Sequence, residues 1–491
     1  MYLGLDLGTS SLKAVVTDAQ GGLVATESVN LQTHSPQPLW VEQDPEAWWQ
    51  ATVAVVRQLS AKIDLHDIRA IGLAGHMHGA VLLDAKGQVI RPCILWNDGR
   101  SAAECEQLEA SLADFRQRSG NVAMPGFTAP KLLWVKNHEP DAFARTKTVL
   151  LPKDYLRYRL TGRYVSEMSD AAGTLWLNPG KRDWDDALLA ATGLGREHMP
   201  SLIEGSRVSG PLSDDAAAAL GLNAVPVAGG AGDNAAGALG VGVTRPGQGF
   251  ISLGTSGVYF VVSEAHKSAS EHTVHAFCHC LPGRWHQMSV MLSAASSLEW
   301  WARLQQVDVA TLLAEVENAS KTSTEVIFLP YLTGERTPHN DPLARAQFFG
   351  MTSRTARADM TLALLEGVAF SIADGEAALL AAGTPLDDIS LIGGGARSPR
   401  WRQIIADVLQ RPLHFREGGE VGPGLGAARL AQLCITGDSP EQIDSVCPPP
   451  AIVETHLPDA GKAEYYRQRL ELYRKLYQHT APLNALFTQE D

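Results

Sequence analysis

The chain opens on alternation: Leu3, Leu5 and Leu7 are separated by Gly4 and Asp6, and a second apolar run covers Leu12 to Val16. A period of two belongs to a strand with two unlike faces. The pattern therefore predicts two strands joined by a tight Gly8-Thr9-Ser10-Ser11 turn. Asp18 to Gly22 reads as a turn into a third strand, Leu23 to Glu27. The period then lengthens. Trp48, Val53, Val55, Val56 and Leu59 mark a helix, with Asp44 as its cap and Pro45 in its first position. Ile68 to Ala74 reads as a buried strand ending in Gly75-His76-Met77-His78-Gly79, and Ala80 to Leu83 as the next. Ile94 to Arg100 is another strand end, followed by a helix from about Ser101 to Leu112 and one with Pro130 at its start. Leu150 to Leu160 and Ser169 to Trp176 read as scaffold, Asp170 capping or making a contact.

Val225 to Gly240 predicts a strand, a glycine-rich turn and a helix beginning at Asp233. Helical periodicity returns over Ser293 to Leu304 and Met360 to Leu380. Ile389 to Ile392 is a strand running into Gly393-Gly394-Gly395, then a helix through Leu409. Val421 to Ala431 begins a helix whose small residues let a partner helix come close. A last helix, about Pro458 to His479, carries Tyr466, Leu470, Tyr473 and Tyr477 on one core-facing stripe.

The opening pattern recurs. Gly249 to Val262 repeats strand, Leu-Gly-Thr-Ser turn and strand, and Leu253 lies 246 positions after Leu7, about half of the 491 residues. Two related halves follow. In each turn the glycine allows close backbone approach, and the neighbouring N–H and hydroxyl groups converge on one spot suited to phosphate oxygens. An ordinary hairpin with polar turn residues is the alternative for either copy alone. No Gly-Lys-Ser or Gly-Lys-Thr occurs, so these are not Walker loops. The facing pair resembles the actin-like ATPase fold, which implies an α/β chain of two actin-like (ribonuclease H-like) domains with a cleft between them. The expected division is 1–245 and 246–491.

Composition narrows the setting. A hydrophobic fraction of 45% and a charged fraction of 19% are those of a globular protein. The net charge of −13 argues against a nucleic-acid surface. The first strand starts at residue 2, and the most apolar run, Val225 to Val243, is broken by Asp233-Asn234, so neither a leader nor a membrane span is expected. Six cysteines without a Cys-x-x-Cys pair fit reduced thiols in a cytoplasm. His272, His275, Cys278, His279 and Cys280 are zinc-type ligands, but their spacing reads as a strand around Phe277 that would turn alternate side chains to opposite faces.

Candidate chemistry sits at the strand ends, where ligands collect in α/β sheets. Asp6 could reach a metal ion bridging phosphates, and Lys13 could add a positive charge. Met77 and His78 are candidates for substrate contact, with a core methionine and a surface histidine as the plain alternative. Trp96, Asp98 and Arg100 suit a polyol, the ring against C–H surfaces and the carboxylate on vicinal hydroxyls; an Asp98–Arg100 pair ordering a loop is the alternative. Asp233 reads equally as a helix cap. The loop Gly334 to His339 is either a cleft wall or a salt-bridged turn.

Taken in order, Gly4 to Ser10, Trp96 to Arg100, Lys131 to Trp134, Gly232-Asp233-Asn234, Leu253 to Gly257, Gly334 to His339 and Gly393 to Arg397 resemble the FGGY family of carbohydrate kinases over nearly the whole chain. Within it, Gly75 to Gly79, Trp40 to Pro45 and Leu151 to Tyr155 look most like the branch that phosphorylates D-xylulose, where Met-His meets the sugar. His76 departs from the Gln expected there. The resemblance implies Asp233 as general base for the sugar's terminal hydroxyl as it attacks the γ-phosphoryl of ATP, and Asp6 as the Mg²⁺ residue, acting through water. It implies Thr9, Ser10, Lys13 and Thr255 facing phosphates, and Gly394 and Gly395 under the adenosine. It puts the sugar, in the first half, between Met77, His78, Trp96, Asp98, Asp233 and Asn234, and the nucleotide in the second half. Partners are then a small sugar and ATP, with neither nucleic acid nor membrane, and a homodimer as one expectation. Another ketose, ribulose or a polyol such as glycerol remains as substrate, and an actin- or chaperone-like ATPase as the reading from another class.

Overall fold

The computed structural model describes residues 1–319, 322–417, 422–484 and 486. Tyr2–Leu7 (β1), Ser11–Thr17 (β2) and Leu23–Asn30 (β3) form an antiparallel meander with Asp6 opposite Lys13 and Leu7 opposite Leu12. Leu3, Leu5, Leu7, Leu12, Ala14 and Val16 are buried against a helix, Pro45–Leu59 (α1), that contributes Trp48, Val55, Val56 and Leu59. Each such large apolar side chain contributes about 1.5–3 kcal/mol on burial. The α1 terminus is as expected: Pro45 opens the helix and the Asp44 carboxylate accepts from the Glu46 N–H at 2.9 Å. Ala70–Gly75 (β4) joins β1 in parallel, Leu7 opposite Gly75. After a helix at Pro152–Thr161 (α2), the sheet is completed by Val208–Pro211 (β5), Pro226–Ala228 (β6) and the short Ala231–Gly232 (β7), which runs directly into the helix Asp233–Gly240 (α3). The spatial order is β5-β6-β4-β1-β2-β3, with β7 also on β4.

The second sheet repeats the first. Gln248–Leu253 (β8) and Gly257–Ser263 (β9) form the second hairpin. His275–Cys278 (β10) and Trp285–Met291 (β11) follow, then the helices Ala295–Gln305 (α4) and Arg357–Ala381 (α5). Asp388–Ile392 (β12) lies parallel to β8, and after Pro399–Leu409 (α6) the strand Leu413–Arg416 (β13) lies parallel to β12. With Ile452–His456 (β14) the order is β10-β11-β9-β8-β12-β13-β14. From β3 to β5 and from β11 to β14 the six strands match in order and in parallel or antiparallel sense.

The halves are not side by side like beads. The helix Gly422–Thr436 (α7), although in the second half of the chain, packs on β1, β4 and α3 of the first. The approach is backbone on backbone: a Cβ at Gly4 would overlap the Gly424 carbonyl, one at Gly72 the Ala427 carbonyl, and one at Gly426 the Ala236 carbonyl. The smooth face read from the sequence is thus used, though Val421 lies outside the described residues. The last helix differs from expectation. Asp459 caps a 3₁₀ turn at Ala460–Lys462, taking the Gly461 N–H at 2.8 Å, so the α-helix runs from Ala463 to Asn484 (α8). Pro130 sits in the third position of the helix Thr128–His138 rather than opening it; in a first turn no N–H of its own is needed. Among the described residues no helix is long and apolar enough to cross a membrane.

Candidate active site

Register brings the two acids together. Leu7 of β1, Gly75 of β4 and Gly232 of β7 lie in one row, so Asp6 sits just inside the strand ends and Asp233 just beyond them. Asp233 is the first residue of α3, not its cap; Gly232 holds the cap position. Its Oδ1 accepts from the Asn234 N–H at 2.7 Å and from Asn234 Nδ2 at 2.9 Å. Burial pushes the Asp233 carboxyl up to about 6, with those two bonds opposing. Asp6 is pushed up to about 7, first by burial and then by the negative charge of Asp233, with Lys13 pulling the other way. The two carboxyls are thus close enough for the charge of one to act on the other.

Two cavities meet at Asp233. The first, about 250 Å³, is lined by Met77, His78, Trp96, Phe127, Asn234 and Arg336, among others. The second, about 280 Å³, is lined by Phe250, Ser252, Ile392, Gly393, Gly422 and Pro423. Asp233, Asn234 and Val258 belong to both walls.

In the first cavity His78 has the left-handed φ of 71°, unusual for a residue with a Cβ. That conformation is held at several points. Its carbonyl accepts from Lys131 Nζ at 2.9 Å and Thr128 Oγ1 at 3.2 Å, and its Nδ1 lies 2.8 Å from the Gly173 carbonyl. A carbonyl only accepts, so the proton is on Nδ1 and Nε2 is an acceptor. Burial, with Lys131 second, holds the ring at about 3, so it is neutral at working pH. Met77 packs under Gly232 and beside Gly173, where a Cβ on either glycine would collide with it. Trp96 is 44% exposed, and its Nε1 donates to Thr9 Oγ1 at 2.9 Å, linking the wall of this cavity to the first turn. Asp98 is elsewhere: its oxygens take the Val41 N–H at 2.6 Å, the Arg100 N–H at 3.0 Å and the Arg100 guanidinium at 2.7 Å, with both side chains buried. The expected carboxylate is thus committed to holding the loop that presents Trp96.

Thr9 and Ser10 form the first turn, and Ser10 is exposed. Thr255 of the second turn is also exposed, and its carbonyl accepts from Ala294 N–H at 3.0 Å and Ser296 Oγ at 2.7 Å, anchoring the turn to the start of α4. The triple glycine is not uniform. Gly393 has φ 89° and lines the second cavity, Gly394 faces open space, and Gly395 is packed on Leu253 and Trp401.

Some participants were read from sequence only as scaffold or for another role. Lys153 lies 2.8 Å from Asp154, 3.4 Å from Glu167 and 3.0 Å from Asp170, all fully buried. Glu167 takes the Ser169 hydroxyl at 2.9 Å, and Ser169 Oγ in turn takes the Gly232 N–H at 3.1 Å, one residue before Asp233. A buried ion network behind the strand ends thereby fixes the start of α3. In sequence, Leu151 to Tyr155 carried part of the family resemblance and Asp170 read as a cap or contact, but nothing there paired these charges. Phe127, His275, Phe277 and Arg336 also line the first cavity. Of the zinc-type cluster, His275 to Cys278 is a strand, His275 stacks on Phe277 at 5.7 Å, and among the described residues no group of three or more His, Cys, Asp or Glu is placed to hold a metal.

The sequence as a whole matches known proteins in two consecutive blocks. Residues 1–240 match the N-terminal domain of the FGGY family of carbohydrate kinases, and residues 249–433 its C-terminal domain. The chain is 51% identical to a xylulose kinase of Escherichia coli strain K12 over 486 residues, 99% of this chain and 100% of that one. It is 49% identical to a xylulose kinase of Klebsiella pneumoniae, over 98% of this chain and 100% of the relative. Its fold is similar to the crystal structure of a xyloylose kinase from Brucella ovis, with a TM-score of 0.94, 47% identity, and coverage of 98% and 99% of the two chains. Twin sheets of one topology, two cavities meeting at Asp233, and matches spanning both halves lead to one conclusion: the chain belongs to the FGGY family of carbohydrate kinases.

Proposed function

We propose that this chain transfers the γ-phosphoryl group of ATP to the terminal hydroxyl of D-xylulose, giving D-xylulose 5-phosphate and ADP. The observation that carries the reading is that the Asp233 carboxyl borders both cavities. The relatives' substrate supports the choice of sugar. The first half, 1–245, holds the sugar, and the second, 246–491, holds the nucleotide. The sugar lies against Met77, His78, Trp96 and Asn234, with Asp98 acting from behind through Arg100 and the Trp96 loop. Asn234 occupies Oδ1 of Asp233, leaving Oδ2 to take the hydroxyl proton as the sugar oxygen attacks phosphorus. A carboxyl raised to about 6 is mostly ionised at pH 7 yet more basic than an ordinary aspartate. Such proton abstraction supplies on the order of 10² to 10⁴ in rate.

Thr9, Ser10, Lys13 and Thr255 face the phosphates, and Gly394 and Gly395 lie beneath the adenosine. The donor set fits Mg²⁺: Asp6 would hold it through water, and this ion takes one or two carboxylates together with water and phosphate. When bound, it would neutralise charge on the phosphates. Its free cysteines and use of ATP support a cytoplasmic location, and light scattering in solution tests the homodimer.

The test is ADP release with D-xylulose, D-ribulose, other ketoses and glycerol, for wild type and Asp233→Asn. Turnover is expected with D-xylulose and a loss of about 10²-fold or more in the variant. ATP hydrolysis indifferent to sugar would replace the reading with a protein-directed ATPase, and near-wild-type turnover in Asp233→Asn would remove Asp233 as base.

A further inference from the structure

Arg336 enters the first cavity from the second half of the chain, on the stretch between α4 and α5. Its neighbour Glu335 acts on the head group through space and makes no direct ion pair with it. Glu335 Oε1 is taken by the Leu292 N–H at 2.9 Å and the Arg336 N–H at 2.7 Å, and Oε2 by the Ser371 hydroxyl at 3.3 Å. Among the described residues no carboxylate lies within ion-pair distance of the Arg336 guanidinium. What holds it is His275, whose Nε2 lies 3.3 Å from Arg336 Nη1.

The direction of that bond follows from the groups behind it. Asn121 Nδ2 donates to the Ser119 and Ala276 carbonyls at 3.0 and 3.1 Å, so Asn121 Oδ1 is the acceptor, and it also takes the Ala276 N–H at 3.2 Å. His275 Nδ1, 3.3 Å from that same oxygen, therefore carries the proton, and its Nε2 accepts from Arg336. Burial, with Arg336 second, keeps His275 neutral. One N–H of the guanidinium is thus spent on a neutral ring, while a guanidinium has five to give. Burial lowers the arginine's own pKa as well, with the Glu335 charge only partly opposing it.

Opposite stands His78 with Nε2 as an acceptor. Between them is an apolar wall: Phe127 meets His78 edge-on at 4.7 Å and His275 at 5.5 Å, and Phe277 stacks on His275. The wall offers one fixed acceptor and one fixed multiple donor. An α-hydroxyketone presents the complement, a hydroxyl that can donate beside a carbonyl that can only accept. An alditol presents hydroxyls alone.

We propose that Arg336 is the specificity residue for the ketone end of the substrate, its guanidinium donating to the sugar carbonyl while His78 Nε2 takes the adjacent hydroxyl. This rests on the ketose reading above. It makes the substrate cavity a joint product of both halves, because the donor belongs to the second and the acceptor to the first.

The experiment compares wild type, Arg336→Met and Arg336→Lys for KM and kcat with D-xylulose, and for Ki of the five-carbon alditol that differs only in the reduced carbonyl. In Arg336→Met, KM for the ketose should rise at least tenfold, with kcat and the alditol Ki changing less than threefold. Arg336→Lys, which keeps the charge and loses the fork, should fall between. If Arg336→Met shows no cooperative melt, the Lys variant is read instead, with a several-fold rise in KM expected against an unchanged alditol Ki. An unchanged KM, or equal losses for ketose and alditol, overturns the assignment while leaving the kinase reading intact. A wild-type protein that phosphorylates no ketose overturns both.

Discussion

The two hairpins share a turn sequence and a strand order and differ in what the strands carry. At the repeat spacing Asp6 corresponds to Ser252, and Gly4 to Phe250. In the first hairpin Asp6 faces Lys13 across the register; in the second, with a turn one residue shorter, Ser252 faces Val258. Gly4 leaves a flat spot that α7 fills, whereas Phe250 stacks on Phe260 at 5.0 Å and borders the second cavity. One scaffold has thus been put to two uses. The first copy concentrates ionisable groups and accepts a helix from the other half; the second offers backbone and an open pocket.

The sharpest way to break this comparison is Asp6→Asn set against Ser252→Ala. If the charge is confined to the first copy, Asp6→Asn should lower kcat by about 10²-fold or more at saturating Mg²⁺ and ATP, the scale on which one charge-stabilising group acts. Near-equal losses in the two variants would mean the hairpins work symmetrically. Next comes Gly72→Ala, whose methyl would collide with the Ala427 carbonyl. Overpacking of this kind costs about 1–3 kcal/mol or more, so thermal melts should show a clear drop in Tm. Ser390→Ala, at the corresponding register position in the second sheet, overlaps nothing and loses only the hydrogen bond from Arg416, so its drop should be smaller.

The pH dependence sharpens the same contrast. With Asp233 at about 6 as base, kcat/KM should fall on an acid limb near pH 6, approaching tenfold per unit below it. Stability runs the other way. Asp6 and Asp233 are raised above their unfolded values, so between pH 4 and 7 the folded state binds more protons than the unfolded one, and stability falls as pH rises through that window. Asp6→Asn should accordingly raise Tm at pH 8 and leave it unchanged near pH 4, whereas Ser252→Ala should be flat across the range. Ser252→Ala is the smallest effect expected, less than threefold in kcat; a large loss there would erase the asymmetry.

Local features were legible from sequence because local rules set them. The strands around Gly8 and Gly254, the Asp44-Pro45 helix start and the turn before Asp233 all follow from period, capping and glycine placement. The strand ends carrying Met77, His78 and Trp96 were found for the same reason. What pattern could not supply was pairing across distance. That Asp98 would spend its oxygens on Arg100 and Val41 depends on a strand fifty-odd residues earlier in the chain. The loop Gly334 to His339 was read as a cleft wall or a turn, but which of its side chains enters the cavity depends on β10 and on Asn121 behind it. Asp233 as a first-turn residue rather than a cap was decided by Gly232, held by the Ser169 hydroxyl.

The return of α7 onto β1 and β4 has a consequence for biosynthesis. On the ribosome the first sheet emerges early, but the helix that covers Gly4 and Gly72 is more than four hundred residues from the N-terminus. Until translation has passed Thr436 that bare face has no native cover, so the first lobe cannot finish maturing as a separate unit, and nascent chains truncated before Gly422 should depend on chaperones to stay in solution.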